Sequence, residues 1–233
     1  DVTQVSLLPF ELMIYLCPCN HLKMAHCKSI FSTAYLPPVF YFHQLLQCEE
    51  VLIEGHEMYQ KQTYRNRCII YSANGSLPLT IPVVKPNGNR TFIKDIRIDN
   101  SVKWKKEHWR ALESAYTNSS FFEFIADYLV GFYEKDRLYL WDFNMELLNT
   151  LFDILDLQVN IVETDGFIKE YPNSISDFRN YISPKFPEFI KQAEQCAIPY
   201  HQVFGYKLGF IPNLSIIDLI CNCGMESLNL LRG

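Results

Sequence analysis

Residues 32–84 read STAYLPPVFYFHQLLQCEEVLIEGHEMYQKQTYRNRCIIYSANGSLPLTIPVV, and the fold is decided there. Residues 28–34 form a short apolar run that predicts a buried strand. Tyr35-Leu36-Pro37-Pro38 breaks it, and Pro38 suits the first turn of a helix, where its missing N–H removes no bond. Val39, Phe42, Leu45 and Leu46 then recur at helical spacing. Residues 49–55 (EEVLIEG) predict a second strand with Val51 and Ile53 as its apolar positions. Strand, helix and strand in so short a span make a βαβ unit, which requires adjacent parallel strands. Downstream, two β-rich runs, 68–71 and 77–84, flank Asn74-Gly75, a strong hairpin signal. Pro82 marks the second run as an edge strand.

This geometry carries a functional expectation. Ligands of open parallel sheets sit beyond the carboxyl ends of the strands, where helix N-termini point. Residues 32–38 lie at such an end, and the helix after them offers free N–H groups and a positive dipole end that suit a phosphate or carboxylate. A glycine-rich dinucleotide fingerprint is absent. Residues 56–67 (HEMYQKQTYRNR) follow the second strand at the same edge and gather many hydrogen-bonding side chains, a common property of functional loops. Arg65 and Arg67 alternate, so one is placed to clamp a carboxylate or phosphate while the other is solvated. His56-Glu57 does not open an H-E-x-x-H motif, because position 60 is Gln. A polar, solvated connection is the plain structural alternative for the whole run.

The bulk numbers bound the class. A chain of 233 residues with 48% hydrophobic and 20% charged residues can bury a large core. The 17 Phe, 14 Tyr and 3 Trp serve that core first and line ligand clefts second. A net charge of −5 argues against a nucleic-acid or anionic-membrane binder. No apolar run reaches transmembrane length. The eight cysteines sit mostly in apolar segments, as expected of reduced thiols in a cytoplasmic protein. Residues 1–27 lack a basic flank and a cleavage site, so a secretory signal is not expected. Cys17, Cys19, His21, His26 and Cys27 offer soft ligands, but their spacing does not match a zinc site. Residues 1–27 are expected to be a poorly packed extension, with translation starting at Met24, and residues 28–233 to be a single domain.

The rest of the chain turns helical. A further strand is predicted over 92–98, then a helix over 103–116 with Trp104, His108, Leu112 and Ala115 on one face and Lys105, Lys106 and Arg110 on its basic side. Helices over 121–134 and 144–157 follow, the latter after a turn at Trp141-Asp142. A strand is predicted over 158–163 and a helix over 186–196. Asn213 and Ser215 precede the last apolar helix, where Ser215 and Asp218 resemble a capping box and Gly224 is a helix stop. The expected fold class is α/β with α+β tendency: an N-terminal βαβ unit, a small mixed sheet with an antiparallel hairpin, and a mostly helical C-terminal half.

The segments STAYLPPV (32–39), YQKQTYRNRC (59–68), LTIPVVKP (79–86), WKKEHWRALESAYTNSSFFEF (104–124) and PYHQVFGYKLGFIPNLSIIDLI (199–220), in this order, resemble the WbqC-like protein family, in a form similar to that of Bacteroidetes. Phe40 stands where relatives carry an acidic residue, and CNCGMES (221–227) replaces a segment like FNEGPES, so Cys223 and Met225 stand for Glu and Pro. The resemblance implies a bacterial transferase of surface-polysaccharide or amino-sugar biosynthesis, by glycosyl or acyl/aminoacyl transfer, acting on a nucleotide-sugar or other anionic small molecule. Tyr35, Pro37, Tyr59, Lys61, Arg65, Asn66, Arg67, Lys105, Arg110 and Asn213 are the substrate-binding candidates, and His56, Glu57 and His108 the candidates to move a proton. No cofactor follows from the motifs, and no metal set. A non-catalytic sugar- or partner-binding protein of the same pathway is the competing reading.

Overall fold

The computed structural model describes residues 28–232, so the expectations about residues 1–27 lie outside the described residues. β1 (Lys28–Ser32), α1 (Val39–Leu45) and β2 (Glu50–Glu54) form the expected βαβ unit. The strands pair in parallel from Lys28 opposite Glu50 to Ser32 opposite Glu54. Ile30, Phe31, Val51 and Ile53 are fully buried, as strands covered on both faces require.

β3 (Arg67–Ser72) and β4 (Gly75–Thr80) form the hairpin. Gly75, at φ +101°, supplies the left-handed backbone its turn needs. β5 (Val83–Val84) pairs antiparallel with β6 (Arg97–Ile98). The strand predicted over 92–98 is largely a 3-10 turn, Ile93–Asp95, with only its last two residues in β6. Ile93, Ile96 and Ile98 are buried and Phe92 is exposed; the step of three from Ile93 to Ile96 suits a turn.

α2 (Trp104–Tyr116), α3 (Phe122–Glu134) and α4 (Leu140–Ile154) pack in succession, α2 on α3 and α3 on α4. Trp104, His108, Leu112 and Ala115 are buried, as are Phe122, Ile125, Leu129 and Phe132. α4 begins earlier than the predicted 144, and Trp141-Asp142 lies in its first turn rather than in a turn before it. Leu140, Trp141 and Phe143 are all buried, and Asp142 gains from the positive end of the helix. β7 (Ile161–Glu163) is half the predicted strand, and β8 (Ile175–Asp177) was not predicted at all. α5 (Pro187–Gln195), α6 (Gly205–Leu208), α7 (Ile216–Cys223) and α8 (Ser227–Arg232) complete the described chain.

The main sheet has the order β7-β2-β1-β8, all parallel. One contiguous apolar cluster runs from Phe31 and Phe42 through Trp104 and Leu129 to Ile217 and Leu231. The tail closes over the beginning of the fold. Ser215 caps α7 through the Ile217 N–H, but the capping box is not completed. Asp218 turns to Tyr200 and Gln202, while the Ser215 N–H donates to the Ile69 carbonyl. α7 stops at Gly224, whose φ is +55° and where a Cβ would meet the Phe121 ring at 2.7 Å. Gly224→Ala is expected to lower stability by about 2 kcal/mol, from left-handed strain and the displaced ring. Urea unfolding of both proteins checks this.

Candidate functional site

Chain order in the sheet sets the site. The first three strands are laid outward from β1 through β2 to β7, and the chain then returns to add β8 on the other side of β1. The direction reverses between β1 and β8, and a crevice opens at the carboxyl ends of strands at such a point. A small pocket lies there. Ser32 and Thr33 from the end of β1, Tyr64 and Arg65 from the run after β2, and Phe178 and Arg179 from the end of β8 line it.

A guanidinium–carboxylate network builds the pocket floor. Arg65 Nε donates to Glu57 Oε1 at 2.7 Å, and Nη2 bonds the other carboxylate oxygen. The same Nη2 reaches Ser32 Oγ at 2.6 Å and the Arg179 carbonyl at 3.3 Å. Ser32 Oγ donates in turn to the Arg179 carbonyl, and the Tyr41 hydroxyl donates to the Ser32 carbonyl. The Arg65 and Glu57 side chains are only 3% and 5% exposed. Behind them Arg179 donates to Asp177, to Glu54 at 2.8 Å and to the Ile168 and Lys169 carbonyls. Phe167 and Tyr171 lie against its guanidinium. Glu54 accepts from Thr164 and from the His56 N–H. Arg179 thus has all its donors engaged. Arg65 does not: its Nη1 has no hydrogen bond among the described residues, although the side chain is buried. The Thr33 and Tyr64 hydroxyls, 1% and 6% exposed by residue, are in the same position.

The expected anion site at the start of α1 is overturned. Val39 N–H donates to the Leu214 carbonyl, and Phe40 N–H to Asn213 Oδ1 at 3.0 Å. Pro37 and Leu36 accept from Ile216 N–H and from the Ser215 hydroxyl. The tail therefore occupies the N–H groups that a phosphate would need, and Asn213 is a cap from afar. Leu36 is buried at φ 41°, a strained conformation for a bulky residue.

The profile of the WbqC-like protein family matches residues 33–180, more than half of the chain. The chain belongs to the WbqC-like protein family. The uncharacterized protein Rv1507c of Mycobacterium tuberculosis is 28% identical to it over 227 residues, covering 88% of this chain and 96% of that protein. This relative is mycobacterial, so it lends no support to a Bacteroidetes lineage. No solved structure matches. In this WbqC-like chain the family span opens at Thr33, at the end of β1, and closes just past Arg179, so it encloses most of the pocket lining.

The sequence candidates divide between several places. Glu57 and Arg65 meet at the pocket. His56 is half-buried beside them, and its N–H bonds Glu54. Tyr59 is buried and pairs by backbone with Thr91; Lys61 is exposed, and its carbonyl accepts from Lys185. Asn66 ties to the Ile81 carbonyl and Arg67 to Thr80, both within the hairpin region. Lys105 pairs with Asp136, and Arg110 lies exposed on α2. Tyr35 and His108 sit in the aromatic core: the Tyr35 hydroxyl bonds His108 Nδ1 at 3.0 Å and the Tyr133 hydroxyl at 2.8 Å. Ser32, Thr33 and Tyr64 belong to the two segments, 32–38 and 56–67, that the sequence pointed to, and Glu54, Asp177 and Arg179 complete the site without having been candidates. The only local hint was the Asp177-x-Arg179 pair, and the strand that positions it is three residues long. Among the described residues no group of three His, Cys, Asp or Glu side chains could hold a metal ion.

A second, mostly apolar cavity lies between α1, α5, α7 and α8, lined by Val39, Phe40, Ala193, Ile198, Phe210 and Leu231. Several of its polar neighbours are already engaged. His43 Nδ1 bonds the Leu231 carbonyl, and Tyr200 donates to the buried Asp218, whose carboxyl burial pushes up against the hydrogen bonds it accepts.

Two outcomes follow from this placement. Arg65→Met strands a buried carboxylate and is expected to cost about 3–5 kcal/mol, whereas Arg65→Met combined with Glu57→Met recovers most of it; a double-mutant cycle in urea checks the coupling. Burial pushes the His108 imidazole down to about 4, against a smaller upward pull from its bond to the Thr80 backbone. Its folded value lies below the unfolded one, so the unfolded chain binds the proton first and stability falls as pH drops from about 6.5 towards 4. This one group contributes a loss of about 2 kcal/mol between pH 7 and pH 5. Unfolding at the two pH values is expected to show a smaller loss in His108→Gln.

Proposed function

We propose that the crevice between β1 and β8 is the substrate site of a transferase in surface-polysaccharide or amino-sugar biosynthesis, acting by glycosyl or acyl/aminoacyl transfer on a nucleotide-linked sugar or similar small molecule. The observation that carries the site is Arg65: a buried guanidinium held in place by Glu57, with one nitrogen left without a partner among the described residues where the pocket lies. Family membership supports the pathway, since the resemblance points to surface-glycan chemistry. Arg65 orients an oxygen of the substrate, and the neighbouring loops after β2 and β8 surround it. His56 lies close enough in sequence and space to Glu54 and Glu57 to be the first candidate for proton movement.

A second reading, a non-catalytic sugar-binding protein of the same pathway, is favoured by one feature: Glu54, Glu57 and Asp177 are all engaged by arginines, which leaves no free carboxylate at the pocket. Turnover separates the two. The chain is incubated with nucleotide-sugars, alone and with ATP plus amino acids or acyl donors, and products are followed by mass spectrometry. A new glycosyl or acyl product that disappears in His56→Ala supports the transferase. Binding seen as thermal stabilisation, about 2.7 kcal/mol at a hundred times the dissociation constant, with no product in any mixture, supports the binding protein.

A further inference from the structure

We propose that α3 joins two copies of this chain as a two-fold pair, each copy laying Phe124 over Gly131 of the other. This goes beyond the reading above and does not depend on it. α3 carries two stripes, each advancing by alternate steps of three and four residues. Phe122, Ile125, Leu129 and Phe132 form the first and are buried in the core. The second lies one residue earlier: Phe121, Phe124, Tyr128, Gly131 and Lys135, from the N-cap to the C-cap of the helix. Such a repeat is the seam of a paired helix. Its apolar members face outward, with Phe124 70% and Tyr128 55% exposed. The Phe121 ring lies against Gly224, which brings the exposed Met225 to the same seam.

Gly131 is an independent observation. It lies inside α3 without a positive φ, and a Cβ there would meet nothing within 4 Å. A glycine in a helix interior costs stability relative to alanine, and no contact among the described residues asks for one here. Its smallness leaves a hollow on the seam, about 10 Å along the helix from the Phe124 bulge. A two-fold axis beside Tyr128 runs two such helices antiparallel and brings bulge onto hollow twice, the self-complementarity that an isologous interface needs. The same arrangement turns Lys135 of each copy towards Glu123 of the other, while the two Asp127 carboxylates flank the axis and weaken the pair. Glu123, Asp127 and Glu134 border the seam and are exposed, which disfavours an anionic lipid surface as its occupant. Three aromatic side chains and Met225 from each copy cover roughly 800–1,000 Å² in all, the low end for a specific contact, so the pair is a weak one.

Sedimentation velocity of the full chain from about 1 to about 300 μM is the test. Expected is a reversible monomer–dimer equilibrium with its midpoint inside that range. Phe124→Ser removes the bulge and Gly131→Leu fills the hollow, and each is expected to weaken dimerisation by roughly tenfold or more. Leucine is the better helix former, so Gly131→Leu is expected to melt no lower than the parent where both are monomeric. That separates a blocked interface from a damaged fold. A chain that stays monomeric throughout overturns the proposal and leaves the seam to another occupant. A dimer that survives either substitution also overturns it, because the contact then lies elsewhere or in another register.

Discussion

Everything at the carboxyl end of the sheet depends on one buried ion pair. Arg65 turns two donors to Glu57 and uses the same Nη2 to reach Ser32 and the carbonyl of Arg179. A single planar guanidinium thereby joins the end of β1, the segment after β2 and the segment after β8. A buried pair adds little net stability over a well-packed apolar substitute. Its effect is geometric: five donors in a rigid fork admit few arrangements of their acceptors. The crevice that strand order opens between β1 and β8 thus receives a fixed floor rather than mobile loops.

The two arginines differ in what they leave over. Arg179 is saturated by Asp177, Glu54 and two carbonyls, and is flanked by two aromatic rings. It ties the exposed segment between β7 and β8 to the sheet and has nothing left for a ligand. Arg65 keeps Nη1. Counting donors separates a saturated cation from one with a donor to spare, where residue type alone treats them alike.

The βαβ unit, the hairpin and the buried faces of α2 and α3 were legible in the sequence because their signals are local: apolar spacing, prolines and a turn dipeptide. The site was legible only in part. Glu57 and Arg65 are eight positions apart in a visibly polar run. Arg179 meets Ser32 across 147 positions, through a strand too short to show a period. Strand order, which places the crevice, is a property of long-range pairing and leaves no local mark. His108 was legible as a core residue: the helical spacing already put it on one face with Trp104, Leu112 and Ala115, and there Tyr35 bonds its Nδ1.

The departures from the family pattern can be weighed against the same geometry. Phe40 packs edge-on against Phe189 and lines the apolar cavity, not the switch-point pocket. Cys223 is the last residue of α7, and burial pushes its thiol up to about 11, with Asp218 and Glu226 adding to the shift, which disfavours a reactive thiolate. Met225 is exposed in the turn that follows. None of the three replacements lines the switch-point pocket or bonds the Arg65 network. If the crevice is where substrate binds, these changes are ones the fold tolerates, even at Phe40, which lies inside the family span 33–180.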